Sequence, residues 1–386
     1  MLAIYICRRT RFTIVTCCIL TFICANAHAQ EGRKLVPSKS PFEQWDQNND
    51  GFLSKDEFPD RFPASLFLRI DTNGDGRLSR KEDDHFRALR GSGRDRTGSE
   101  QVRGSGNRNR LPEGATLVQN VIYEKLKERD LPLDLYRPKS GKPTPLVIWI
   151  HGGGWKSGSK AGGGPGLFQL LRRGYAVASV EYRLSGEAIF PAAVEDCKAA
   201  VSFLRLNALK YNLDPERFGA WGASAGGHLV SMLGTTNDVN DFNTHPVTQK
   251  ASPKVQAVCN WYGPSDFLRM NDFPSKIDHD SGNSPESLFI GGSIQQNPKK
   301  VQRANPATYA SSGDPPFLHL HGDKDQLVPW NQSEILHEAL KSAGVETTLY
   351  KVVGGGHGFG GARDKREDLI EKTVDFFDTA LEPASP

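Results

Sequence analysis

Gly222-Ala223-Ser224-Ala225-Gly226 lies between an apolar run, Arg217-Phe218-Gly219-Ala220-Trp221, and an amphipathic one, His228-Leu229-Val230-Ser231-Met232-Leu233. Gly-x-Ser-x-Gly in that setting describes a serine held on a tight turn from strand to helix. The glycines are needed because a Cβ there would clash with the strand or the helix. The pentapeptide alone occurs by chance in many chains, so its neighbours decide its meaning. A strand ending at Ser224 and a helix starting behind it would put the Ala225 N–H at a helix start, aimed at any negative charge beside the serine.

Working upstream, residues 145–150 form a continuous apolar run, as expected of a strand covered on both faces. It ends in His151-Gly152-Gly153-Gly154-Trp155. Standing alone this would be a plain glycine-rich loop. Directly after a buried strand and ahead of Ser224, its bare N–H groups suit an oxyanion hole. The helix predicted over 191–206 places Ala193, Cys197, Ala200, Val201 and Leu204 on one core face.

Downstream, residues 255–261 and 316–321 read as further buried strands. The second leads into Gly322-Asp323-Lys324-Asp325, where a carboxylate could orient an imidazole. Asp323 and Asp325 compete for that role, and Asp325 is favoured because it lies further into the loop, within reach of a neighbouring one. The last strand, 347–353, runs into Gly354-Gly355-Gly356-His357-Gly358-Phe359. His357, flanked by glycines, can swing toward the serine, whereas His151, His228 and His321 read as motif-framing or core residues. Residues 267–310 show no clear periodicity and are expected to form a cap or pocket wall.

From Leu111 onward, β-rich runs alternate with helical stretches, which predicts an α/β fold. The order Ser224, Asp325, His357, with the glycine loop upstream, resembles the α/β-hydrolase fold, a doubly wound, mostly parallel sheet. The residues 151–155, Tyr182-Arg183-Leu184, 222–228 and 321–325 resemble bacterial esterases near the hormone-sensitive-lipase, feruloyl and acetylxylan esterase groups. The resemblance implies Gly153, Gly154 and Ala225 as oxyanion donors and Asp325 as the acid. It implies a serine carboxylesterase acting on short-chain or carbohydrate-linked acetyl or feruloyl esters, small or polymeric, with no cofactor in the chemistry. Ala223 departs from the aspartate common among hormone-sensitive-lipase relatives, which leans toward esterases of acylated polysaccharides. The alternatives are a serine peptidase of the same fold, or a calcium-dependent binding protein with a silent hydrolase domain. An intact serine, aspartate and histidine speak against the last.

Ahead of this domain one pattern occurs twice. Asp46-x-Asn48-x-Asp50-Gly51-x-x-Ser54-x-x-Glu57 is followed by Asp71-x-Asn73-x-Asp75-Gly76-x-x-Ser79-x-x-Glu82. Calcium wants six to eight oxygens, so alternate side chains point inward, a glycine allows the sharp turn and a final glutamate supplies two oxygens. The carbonyls of Phe52 and Arg77 would complete the shells. The pair resembles bacterial EF-hand modules, a small helical unit whose core would draw on Phe42, Trp45, Phe62, Leu66, Phe67 and Ile70.

The remaining boundaries follow from composition. Arg8, Arg9 and Arg11, an apolar run over 12–24 and Ala27-His28-Ala29 read as a signal peptide cleaved after Ala29. The run is too short to span a bilayer comfortably, so an exported protein without a stable membrane span is expected. The predicted organisation is signal peptide 1–29, EF-hand pair 38–90, flexible Gly/Ser/Arg/Asn-rich linker 91–112 and catalytic domain 113–386. A net charge of +3 over 386 residues excludes a dedicated nucleic-acid binder. Of the 6 cysteines only Cys197 and Cys259 lie beyond the signal, and both are expected as buried thiols.

Overall fold

The computed structural model describes residues 111–382 without a break and, ahead of them, residues 42, 45–54, 56–58, 67, 70 and 76–83. The expected signal segment, residues 91–110 of the linker and three of the expected calcium ligands, Asp71, Asn73 and Asp75, lie outside the described residues. The chain divides into two units on either side of residue 105.

In the amino-terminal unit, β1 (Phe52–Leu53) pairs antiparallel with β2 (Leu78–Ser79), and Leu53 stands opposite Leu78. The two loops are thus joined at the residue that follows the carbonyl position of each. Leu53 and Leu78 are buried with Phe42, Phe58, Phe67 and Ile70, and Trp45 packs against them. Phe58 meets Phe67 edge-on with ring centroids 5.4 Å apart. Phe62 and Leu66 lie outside the described residues.

The carboxy-terminal unit is built on eight strands: β3 (Thr116–Lys125), β4 (Asp130–Arg137), β5 (Thr144–Ile150), β6 (Ala176–Val180), β7 (Leu213–Ala223), β8 (Ala257–Trp261), β9 (Phe317–Gly322) and β10 (Thr347–Val352). Their order across the sheet is β10-β9-β8-β7-β5-β6-β4-β3. β3 and β4 form an antiparallel pair, β4 joins β6 antiparallel, and every other pairing is parallel. This is the α/β-hydrolase arrangement, a doubly wound, mostly parallel sheet.

Both faces of the sheet are covered, which explains the near-continuous apolar runs of its central strands. In β5 the side chains alternate: Leu146, Ile148 and Ile150 join the core under helices Ala192–Leu206 and Ala225–Thr235. Val147 points the other way, into the core under helices Leu167–Arg172 and Arg366–Ala380. Cys197 and Cys259 are free and buried, and burial pushes both thiols up, keeping them protonated.

The chain leaves β5 for β6 on one side and returns to β7 on the other, so Ile150 and Gly222 become neighbours across the β5–β7 pairing. The carboxyl ends of these strands flank a topological switch point, where ligands bind in sheets of this kind.

Segment 267–310 is more regular than its sequence suggests. It carries α-helices Pro285–Ile290 and Pro298–Ala304 and 3-10 turns Phe267–Asp272, Ile294–Gln296 and Pro306–Tyr309. Three of these begin with proline at the first helical position. None is long enough for a 3.6-residue period to show in sequence. Among the described residues, no helix is long and apolar enough to cross a membrane.

Candidate active site

β7 delivers Ser224 at its end, and the helix Ala225–Thr235 leaves directly from it. Ser224 has φ 57° and ψ −125°, a conformation that costs about 1–3 kcal/mol and persists only when its surroundings impose it. The surroundings do so. A Cβ on Gly222 would stand 2.2 Å from the Gly226 carbonyl oxygen, and one on Gly226 only 2.1 Å from that of Ile150. The Ser224 N–H donates to the Trp261 carbonyl at 2.9 Å, tying the turn to the end of β8.

The glycine loop after β5 packs against this turn. A Cβ on Gly152 would stand 2.7 Å from the Ala223 carbonyl oxygen and 3.2 Å from Ser224 Cβ. Gly153 and Gly154 have φ of +119° and +58°, open to glycine, and the Gly153 carbonyl accepts from the Lys156 and Ser157 amides. Among the described residues, the amides of Gly153, Gly154 and Ala225 donate to no protein acceptor. Trp155 anchors the loop by stacking on Phe289, with ring centroids 4.6 Å apart.

His357 brings the two ends of the site together. Its Nε2 is 3.1 Å from Ser224 Oγ and its Nδ1 is 2.8 Å from Asp325 Oδ2. Asp325 Oδ1 accepts from the Leu327 and Val328 amides at 2.8 and 3.0 Å. Burial pushes the Asp325 carboxyl up, but the His321 and His357 rings beside it outweigh this and hold the group well below the usual carboxylate range. Asp323 takes no part in this: its Oδ1 accepts from the Gly354 amide at 2.7 Å, bracing the loop that carries His357.

Three further residues stand around the site to which sequence alone assigns no role there. His321, expected as a core or framing histidine, is buried with Nε2 2.8 Å from the Val328 carbonyl and 3.4 Å from Asp325 Oδ2. Its place four residues before Asp325 was the available hint. Tyr262 sits at φ 43° and sets its ring edge-on to His357 at 4.7 Å. Burial pushes its phenol up to about 12, so it stays protonated. Glu286 lies in segment 267–310, and only folding brings it to the site.

A cavity of about 610 Å³ opens over Ser224 and His357. Gly153 and Gly154 form one side, Leu327 and Val328 another, and Ile277, Pro285 and Glu286 a third. Segment 267–310 therefore supplies part of the pocket wall.

A family model described as BD-FAE matches residues 133–340, more than half of the chain. The chain belongs to the BD-FAE family. A model described as EF hand matches residues 41–59 and 64–82, the two loops ahead of the BD-FAE domain. Among solved structures, a truncated carbohydrate esterase from gut microbiota is 33% identical, with 69% of this chain and 97% of that one covered and a TM-score of 0.63. A thermophilic esterase of the planctomycete Thermogutta terrifontis, solved with propionate, is 26% identical over 71% of this chain and 98% of that one, with a TM-score of 0.56. Esterase LipQ of Mycobacterium tuberculosis is 29% identical over 252 residues, 64% of this chain. The chain spans 58% of LipQ and 56% of the related esterase LipC, less than two thirds of either.

Proposed function

We propose that this BD-FAE protein is an exported serine carboxylesterase that hydrolyses short-chain or carbohydrate-linked acyl esters, with an appended calcium-binding module. The observation that carries the reading is the chain of contacts from Ser224 Oγ through the His357 ring to Asp325 Oδ2, at 3.1 and 2.8 Å. The carbohydrate esterase and the esterases among its relatives support the same reaction class.

The chemistry runs through groups already in position. His357 Nε2 takes the Ser224 proton as Oγ attacks the ester carbonyl. Asp325 holds the Nδ1–H tautomer and stabilises the imidazolium as it forms. The negative oxygen rests on the Gly153, Gly154 and Ala225 amides, each worth about 3 kcal/mol of barrier by analogy with single-donor deletions. His357 then returns the proton to the departing alcohol, leaving an acyl group on Ser224. Water, deprotonated by the same imidazole, attacks that acyl-enzyme and releases the acid.

The first EF-hand loop has the donors a calcium ion needs. Asp46, Asn48, Asp50, Ser54 and Glu57 supply side-chain oxygens and Phe52 a carbonyl, a hard-oxygen set that fits calcium rather than a softer metal. Gly51 takes φ 83° at the sharp turn, and the Gly51 amide donates to Asp46 Oδ2. Hydrogen bonds from Ser54 N–H and Oγ–H hold the Glu57 carboxyl below its ordinary value, favouring the ionised form a cation wants. Arg77, Ser79 and Glu82 would serve the second loop with Asp71, Asn73 and Asp75. Calcium held by these residues would stabilise the module, and no catalytic step passes through it. The amino-terminal arginines, apolar run and Ala27-His28-Ala29 support export.

A hydrolysis panel of acetyl, butyryl, octanoyl and feruloyl esters alongside acetylated xylan tests the reading. Turnover of the acetyl esters supports it, and no turnover of any member contradicts it.

A further inference from the structure

Glu286 is a charged side chain in the wall of the catalytic cavity, and it is only 3% exposed. Its Oε2 is 3.1 Å from His279 Nδ1. Its Oε1 takes no hydrogen bond from any described residue. That oxygen is not sealed among packed side chains but belongs to a residue lining the cavity, so a ligand that brings a donor into the cavity can hydrogen-bond to it.

His279 occupies one oxygen of the carboxylate, and the helix start does not use the other. Glu286 lies in the first turn of the helix Pro285–Ile290, but that helix start is already capped by Ser284, whose Oγ accepts from the Ser287 amide. The carboxylate is also held in place from behind. His279 is fully buried, with Nε2 3.0 Å from Ser275 Oγ. Ser275 Oγ and the Lys276 amide reach the Gln326 carbonyl at 3.0 and 2.7 Å, next to Asp325 in the acid loop. On the other side, Pro285 Cβ is 3.2 Å from where a Cβ on Gly154 would stand. Glu286 is therefore fixed between the loop that bears the acid and the loop that bears the oxyanion donors.

Resting on the esterase reading above, we infer that Glu286 sets substrate specificity: its Oε1 accepts a hydrogen bond from a free hydroxyl on the alcohol half of the ester. An acetyl group carries no donor, so in an acetyl ester the hydroxyl must belong to the alcohol. The site thereby favours esters of polyhydroxylated alcohols, sugars above all, over esters of plain alkyl or aryl alcohols. Gain of a hydrogen bond to a charged acceptor is worth about ten- to a hundredfold in kcat/KM.

The test uses the full chain with 4-nitrophenyl acetate, mono-acetylated methyl xylosides, and the same xylosides with single free hydroxyls replaced by hydrogen. The wild type is expected to lose tenfold or more in kcat/KM on at least one deoxy analogue, mainly through KM. Glu286→Ala should abolish that discrimination, while Glu286→Gln, which keeps an acceptor oxygen, should retain part of it. A wild type indifferent to every deoxy substitution overturns the inference, and this comparison needs no variant to fold. Discrimination that survives in Glu286→Ala also overturns it. Failure of the wild type on 4-nitrophenyl acetate itself would instead overturn the esterase reading, and the inference with it.

Discussion

Asp325 Oδ2 lies 2.8 Å from His357 Nδ1, across 32 residues of chain, while the other oxygen of the same carboxylate is held by two backbone amides of its own loop. One oxygen fixes the carboxylate and the other fixes the imidazole. Asp323, two residues earlier, spends its Oδ1 on the Gly354 amide instead. The two acids are close in sequence and far apart in role.

Asp325→Asn should lower kcat about 10⁴-fold, because an amide in that place favours the wrong imidazole tautomer. Asp323→Asn keeps an oxygen for the Gly354 amide and should cost less than about tenfold, since it alters only a brace. Steady-state kinetics of the two variants on 4-nitrophenyl acetate makes the comparison. Equal losses would contradict the division of roles.

Gly153→Ala should lower kcat by about a hundredfold or more, the scale of losing one oxyanion donor. Its new methyl would meet the Ser157 carbonyl oxygen at 2.1 Å in a backbone with φ +119°, so the loop must move. Circular dichroism separates this from unfolding. A folded variant with wild-type kcat would remove Gly153 from the oxyanion hole.

Stability should fall in mild acid. Burial holds His228 down to about 4 and His319 down to about 3 from an ordinary value of 6.5. His228 Nε2–H donates to the Ala304 carbonyl at 2.7 Å, but neither ring has a place for a second proton's charge. Below pH 6.5 the unfolded chain therefore binds protons that the native state refuses. Each histidine then costs roughly 1.4 kcal/mol per pH unit, down to its own folded value. Asp325 acts in the same direction at lower pH, since its depressed carboxyl contributes stability that is lost as pH falls below 3.8. Thermal melts from pH 8 to 4 should show Tm declining from about pH 6.5 downward. A flat Tm over that range would contradict the burial argument.

Chelating calcium should lower the Tm of the amino-terminal module and leave turnover of small esters nearly unchanged, because no step of the chemistry touches that module. Differential scanning calorimetry with and without chelator, alongside kinetics, reads both. Activity lost at a temperature where the protein stays folded would make calcium regulatory instead.

What was legible in the sequence was whatever depends on local spacing. The Gly-x-Ser-x-Gly turn, the glycine loop at 152–154 and the two EF-hand loops each announce themselves within a dozen residues, because backbone geometry dictates their glycines. The covered strands β5 and β8 show as apolar runs because both of their faces are buried. Pairings formed by folding alone were not legible. Nothing near Glu286 in sequence says that it will line the cavity over Ser224, and His279 gives no hint that it stands behind Glu286. Tyr262 at φ 43° follows an ordinary apolar strand, so its strained backbone has no local sign. The helices of 267–310 were missed because segments of six and seven residues carry too few turns to show a period.

The proposed chemistry turns on Ser224 acting as the nucleophile of an ester hydrolase. The most direct measurement is hydrolysis of 4-nitrophenyl acetate by the wild type and Ser224→Ala, with circular dichroism of both. A folded variant whose kcat falls by about 10⁴-fold or more is expected. A folded Ser224→Ala protein that still hydrolyses the ester at near wild-type rate would contradict that role.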